Sequence, residues 1–205
     1  MAEHSYEEHL APNLYFDPEH NSDAAKILPG EYYVTARDMV IVTVLGSCVC
    51  ACIRDKVSGI GGMNHFMLPD SGWDQNNPLG ESARYGTYAM EVLINELLKM
   101  GANRRNFEAK VFGGGAVLRG FTVGNVGERN AEFVLNFLQI EKIHVAAQDL
   151  LDIYPRKVYF FPRSGLVRVK TLRMVNNDTI INRESEYKTR LQYSKVEGDV
   201  DLFDR

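Results

Sequence analysis

Between Glu31 and Pro69 the apolar residues come in short runs separated by turn formers, which is the pattern of strands. EYYVTA alternates loosely. MVIVTV, after the turn residues Arg37 and Asp38, is continuous enough to be a strand buried on both faces. Past the tight LGSC passage, CVCACIR and IGGMNHFML read as two more strands, joined by DKVSG and closed by Pro69. Residues 70–80, DSGWDQNNPLG, are rich in turn formers and read as a surface loop. The period then changes. Ala89, Val92, Leu93, Leu97 and Met100 lie three and four apart, predicting a helix over Ser82–Met100 that Gly101 stops. Asn125 with Glu128 fits the N-cap of a second helix, whose stripe is Ala131, Val134, Leu135 and Leu138. FEAKVFGGG, KIHVAAQDL, RKVYFFP and GLVRVKTL are further strands.

About seven strands and two main helices predict an α/β layered sandwich, built as a single domain over residues 30–172. Residues 1–29, with Pro12, Pro18 and Pro29 and no period, are expected to form an N-terminal arm. Residues 173–205 are polar and mixed in charge, and are expected to be a tail holding a short helix.

Composition narrows the functional classes. A chain of 205 residues with 45% apolar content suits one folded domain plus tails. A net charge of −4 gives no footprint for nucleic acid or an anionic membrane. No window approaches the roughly 18 apolar residues of a spanning helix, and MAEHSYEEHLAP lacks the apolar core of a signal peptide. Three cysteines, crowded at 48, 50 and 52, are poorly placed to bridge one another, so reduced thiols and a cytosolic setting are expected.

The hairpin around DKVSG carries the candidate chemistry. With its turn centred between Lys56 and Val57, opposite residues have numbers totalling 113, which sets Cys48 across from His65. An imidazole beside a thiol generates the thiolate nucleophile. Gly46 and Ser47 lead into Cys48 with little bulk, so backbone N–H groups there can face a developing oxyanion. Such a site suits acyl transfer through a thioester, with an amine or ammonia leaving. Asn64 and Ser47 are candidate substrate contacts, or else they satisfy local backbone groups. Cys50 and Cys52 read as small core residues. No second ligand cluster accompanies the Cys-x-Cys-x-Cys run, so neither a metal nor any other cofactor is expected. A thiol redox protein is the weaker alternative. Gly113–Gly115 lacks the Gly-Lys-Ser/Thr of a nucleotide loop and reads as a tight turn at the site rim.

LGSCVCACIRD followed by GIGGMNHFMLP closely resembles the signature of the CheD family of chemoreceptor glutamine deamidases. The resemblance continues through KVFGGGAV, VGERNAEFVLNFL and YPRKVYFFPRSGLVRVK, so it covers about residues 30–172. It implies a three-layer α/β sandwich and a papain-like Cys–His–Thr arrangement. It also implies amidohydrolysis of glutamine side chains on methyl-accepting chemotaxis receptors. Cys48 matches the nucleophile and His65 the base. The family's threonine commonly stands six positions before the nucleophile, where this chain has Val42; Thr43 stands five before it. Neighbours on a strand face opposite ways, so the offset matters, and Thr43 is the nominated orienting group. The resemblance also implies a regulatory partner of the CheC phosphatase type, and a pure binding module for it is the alternative function.

Overall fold

In chain order the strands are β1 (His9–Leu10), β2 (Asn13–Asp17), β3 (Ser22–Lys26), β4 (Glu31–Thr35), β5 (Val40–Leu45), β6 (Val49–Asp55), β7 (Gly61–His65), β8 (Phe107–Gly113), β9 (His144–Leu150), β10 (Arg156–Phe161) and β11 (Leu166–Thr171). The helices are α1 (Glu81–Lys99), α2 (Val126–Ile140) and α3 (Asp178–Tyr193). The computed structural model describes residues 9–11, 13–69, 81–117, 126–173 and 178–193. The predicted 70–80 loop and the Asn125 cap lie outside them.

Two mixed sheets form, with strand orders β1-β4-β7-β6-β8-β9 and β11-β10-β5-β3-β2. Helices α1 and α2 cover one face of the six-stranded sheet, and the five-stranded sheet lies across its other face. The three layers explain the sequence pattern. β6 and β7 sit in the middle layer, apolar on both sides, so VCACI and GGMNH are buried throughout. The edge strands β9 and β11 are mostly exposed, and β11 carries Arg168 and Lys170 there. Among the described residues no helix is long and apolar enough to cross a membrane.

Three elements differ from the expectation. Residues 13–26 form the β2–β3 hairpin at the edge of the five-stranded sheet, although the sequence there shows no period. The α1 stripe is rotated toward Ala89, Met90, Leu93, Ile94 and Leu97, while Met100 is exposed. The helix expected in the tail is α3, 16 residues long rather than short, and it docks with Tyr187 and Leu191 buried.

The β6–β7 register also differs. Cys52 pairs with Met63 and Ile53 with Gly62, so opposite residues total 115 rather than 113. The cause is local. Asp55 Oδ1 accepts from the Val57 and Ser58 N–H groups, and Oδ2 accepts from Asn103 N–H. Gly59 closes the turn in the left-handed region at φ 75, a conformation that suits glycine. Burial alone would raise the Asp55 carboxyl, but the backbone donors outweigh it and hold it down at about 2. The turn therefore centres one residue later, between Val57 and Ser58. Cys50, not Cys48, falls opposite His65, and Cys48 is the diagonal neighbour just before β6 begins. A shift of two in the total preserves the face. The cysteines and His65 still share one side of the sheet, toward the five-stranded layer.

Candidate active site

Cys48 lies in the bend between β5 and β6, and three backbone ties fix that bend. Gly46 C=O accepts from Gly115 N–H at 2.8 Å, Cys48 C=O from Gly114 N–H at 2.8 Å, and Ser47 C=O from Asn130 Nδ2 at 2.8 Å. The Gly113–Gly115 turn approaches so closely that a Cβ on Gly113 would lie 2.2 Å from Cys48 O, and Gly113 also has φ 111. Only glycine fits. With the Gly46 and Ser47 carbonyls drawn back, the Ser47 and Cys48 N–H groups turn outward, and together with the Gly46 N–H they converge in front of the bend. Converging N–H groups make an anion-binding nest.

His65 ends β7 and reaches across the layer to β5. Its Nδ1 lies 2.8 Å from Thr43 Oγ1. Thr43 Oγ1 donates to Ile27 C=O at 2.9 Å, so its lone pairs accept from His65, and the ring proton sits on Nδ1. That leaves the Nε2 lone pair free to act as a base, and Nε2 has no hydrogen-bond partner among the described residues. Val42 faces the other way, packed with Ala24, Val40 and Tyr159. Strand alternation thus gives Thr43, not Val42, to the histidine.

The sequence reading did not single out Glu184. This α3 side chain is 1% exposed, and its carboxylate fills the nest. Oε1 accepts from Gly46 N–H at 2.7 Å and Cys48 N–H at 3.2 Å. Oε2 accepts from Ser47 N–H at 2.7 Å and Ser47 Oγ at 2.6 Å. Ligand atoms of Cys48, His65 and Glu184 all lie within 4.8 Å of one another. Such a trio suits zinc by residue type. A carboxylate offers about four lone-pair sites, however, and the Gly46, Ser47 and Cys48 N–H groups, the Ser47 hydroxyl and the Cys48 thiol already compete for them. The surroundings are built to hold a carboxylate.

Electrostatics follow from this packing. Burial, then the charge and hydrogen bond of Glu184, push the Cys48 thiol well above its ordinary value. Burial lowers His65 from 6.5 to about 3, so its ring is neutral. Cys50 and Cys52 are buried free thiols, and burial with mutual contact raises Cys52 as well.

The predicted site residues therefore divide. Cys48, His65, Thr43, Gly46 and Ser47 come together. Asn64 points to the opposite side of the sheet, accepting from Ala51 N–H at 2.9 Å and donating to Ala89 C=O at 3.1 Å on α1. Its period-2 alternation with His65 was enough to separate the two. Glu184 carried only one signal in the sequence: an acid set among Ile180, Ile181, Tyr187 and Leu191 on one helix face.

Residues 67–171 match the family model described as CheD chemotactic sensory transduction, which begins two residues past His65. The chain is also 67% identical over 196 residues to a probable chemoreceptor glutamine deamidase CheD of Herminiimonas arsenicoxydans, covering 96% of this chain and 97% of that one. A protein of the same description from Janthinobacterium sp. (strain Marseille) is 66% identical, with 96% and 97% covered. Another, from Thiobacillus denitrificans, is 67% identical, with 96% and 98% covered. With a likeness that runs through the bend, the hairpin and both sheets, the chain belongs to the CheD family.

Proposed function

We propose that the protein deamidates glutamine side chains of chemoreceptors by a thioester mechanism, releasing ammonia and leaving glutamate. The observation that carries this is the chain of contacts from Ile27 C=O through Thr43 and His65 toward Cys48, set beside three convergent N–H groups. It is the arrangement that acyl transfer from an amide needs: a nucleophile, an oriented base and donors for the oxyanion.

In this reading His65 Nε2 takes the Cys48 proton, and the sulfur attacks the glutamine side-chain carbonyl carbon. The carbonyl oxygen becomes an oxyanion held by N–H groups of Gly46, Ser47 and Cys48. Collapse breaks the C–N bond, and the His65 imidazolium gives its proton to the leaving ammonia. Water, deprotonated by His65, then cleaves the thioester and frees the glutamate. Thr43 keeps the proton on Nδ1, so the lone pair stays on the nitrogen that faces the thiol. A glutamate methyl ester would pass through the same acyl-enzyme and release methanol, which gives receptor methylesterase activity the same machinery. A protein acting only by binding a CheC-type phosphatase would need none of it. Such a protein would release no ammonia, and its pull-down of the phosphatase would survive Cys48→Ala.

Receptor fragments incubated with the protein should gain about 1 Da per converted glutamine in intact-mass spectra, and Cys48→Ala should abolish the gain. Equal conversion by the variant would remove Cys48 from the nucleophile role. Thr43→Val keeps the shape but loses the acceptor for His65 Nδ1. It should lower kcat by about 10–100-fold with little change in KM, since such supporting hydrogen bonds act through the group they orient. An unchanged kcat would leave Thr43 a strand former only.

The neutral, buried His65 also links folding to pH. Its folded-state value of about 3 lies below the ordinary 6.5, so between these the unfolded chain binds the extra proton. Stability contributed by His65 is present above pH 6.5 and is lost as pH falls toward 3, by up to about 1.4 kcal/mol per pH unit. Stability to urea should fall more steeply from pH 7 to pH 4 for the wild type than for His65→Gln; parallel curves would contradict the assignment.

A further inference from the structure

The three N–H groups that the mechanism reserves for an oxyanion are already taken. Glu184 occupies them with both carboxylate oxygens, from the centre of the buried face of α3. The rest of that face anchors the helix. Tyr187 stacks over Gly30, where a Cβ would lie 2.9 Å from Tyr187 Cε2. Its hydroxyl pairs with that of Tyr85, and Leu191 is buried in the main core. Gly46 is the counterpart on the other side: a Cβ there would lie 2.7 Å from Glu184 Oε2 and 2.6 Å from Val117 Cγ2, so this bend admits the carboxylate only as glycine.

A buried carboxylate in an otherwise apolar helix face is costly unless its oxygens are fully satisfied, and here they are. The cavity left under α3 beside His65, lined by Leu28, Val44, Ile180 and Arg183, is about 20 Å³. That holds one water and no glutamine side chain. Chemically, the group in the nest is the side-chain carboxylate of a glutamate, which is what the proposed reaction leaves behind.

We propose that α3 is a built-in product mimic that closes the site: Glu184 sits where the product glutamate side chain would sit, and a receptor gains access only when α3 lifts. This rests on the deamidase reading above and adds a regulator to it. Opening frees the nest for the oxyanion, takes a negative charge away from Cys48 and admits water to His65. A glutamine at position 184 would then be a substrate held in place. Cys48 Sγ would attack its side-chain carbonyl carbon, ammonia would leave with a proton from His65, and water would cleave the thioester, regenerating glutamate.

Three full-length proteins test this: wild type, Glu184→Ala and Glu184→Gln. Cys48 in Glu184→Ala should alkylate with iodoacetamide about tenfold faster or more than in wild type, and receptor fragments should be deamidated faster by a similar factor, because the closed population no longer dominates. Glu184→Gln should gain about 1 Da on standing, mapped to residue 184, and the gain should be absent in Cys48→Ala/Glu184→Gln. Equal alkylation in wild type and Glu184→Ala overturns the plug, whatever the receptor assay gives. Equal, Cys48-dependent receptor turnover by both proteins overturns the plug and keeps the deamidase. No receptor turnover by any protein, with fast alkylation of Glu184→Ala, supports the closure and removes the deamidase reading. If Glu184→Ala does not fold, the isosteric Glu184→Gln decides. Cys48-dependent conversion of the introduced glutamine supports the proposal. An introduced glutamine that persists while Cys48 alkylates at the wild-type rate overturns it.

Discussion

The structure depends on how the backbone carbonyls of Gly46, Ser47 and Cys48 are tied back. The Gly113–Gly115 turn takes two of them and Asn130 of α2 takes the third. A trans peptide unit points the carbonyl of one residue and the N–H of the next in opposite directions. The ties on Gly46 and Ser47 therefore turn the Ser47 and Cys48 N–H groups outward, and the Gly46 N–H, from the Leu45 peptide, completes the nest. The six-stranded sheet brings β8 beside β6 and places the glycine turn at the end of both. Helix α2 supplies Asn130, whose Oδ1 also accepts from Leu68 N–H at 2.9 Å, so one side chain links the bend to the end of the hairpin. The second sheet contributes Thr43. Each of the three layers therefore fixes one part of the site.

The arrangement described is closed, and its electrostatics agree with that. Thiol and imidazole are both neutral because both are buried, with Glu184 adding to the effect on Cys48. Catalysis of the proposed kind needs the proton to move from sulfur to Nε2. Admitting water and withdrawing a carboxylate shift both groups in that direction. In the proposed mechanism the closed form would therefore hold Cys48 and His65 oriented but inactive.

Much of this was legible in the sequence, and the reason is parity. Strand residues alternate with period two, so Cys48 and His65 share a face in any register whose total is odd. The shared face survived, though the direct pairing did not, because Asp55 and Gly59 move the turn by one residue and set Cys50 opposite His65. Alternation also separates Thr43 from Val42 and Asn64 from His65. Parity says nothing about distant elements. The β2–β3 hairpin was missed because NLYFD is mostly exposed at a sheet edge and SDAAK is polar. Glu184 lies 136 residues from Cys48, and no local spacing ties the two together. Its one clue, an acid on an apolar helix face, acquires meaning only once the helix is docked.

In the proposed mechanism Cys48, and neither of its neighbours, forms an acyl-enzyme in the nest. Rapid acid quench of Glu184→Ala with a glutamine-bearing receptor fragment, followed by peptide mass mapping, tests it most directly. The expected result is an adduct of the fragment less one ammonia on the peptide that contains the three cysteines, retained in Cys50→Ala/Cys52→Ala and absent in Cys48→Ala. An adduct that persists without Cys48, or deamidation by the Cys48→Ala protein with no adduct at all, would contradict it.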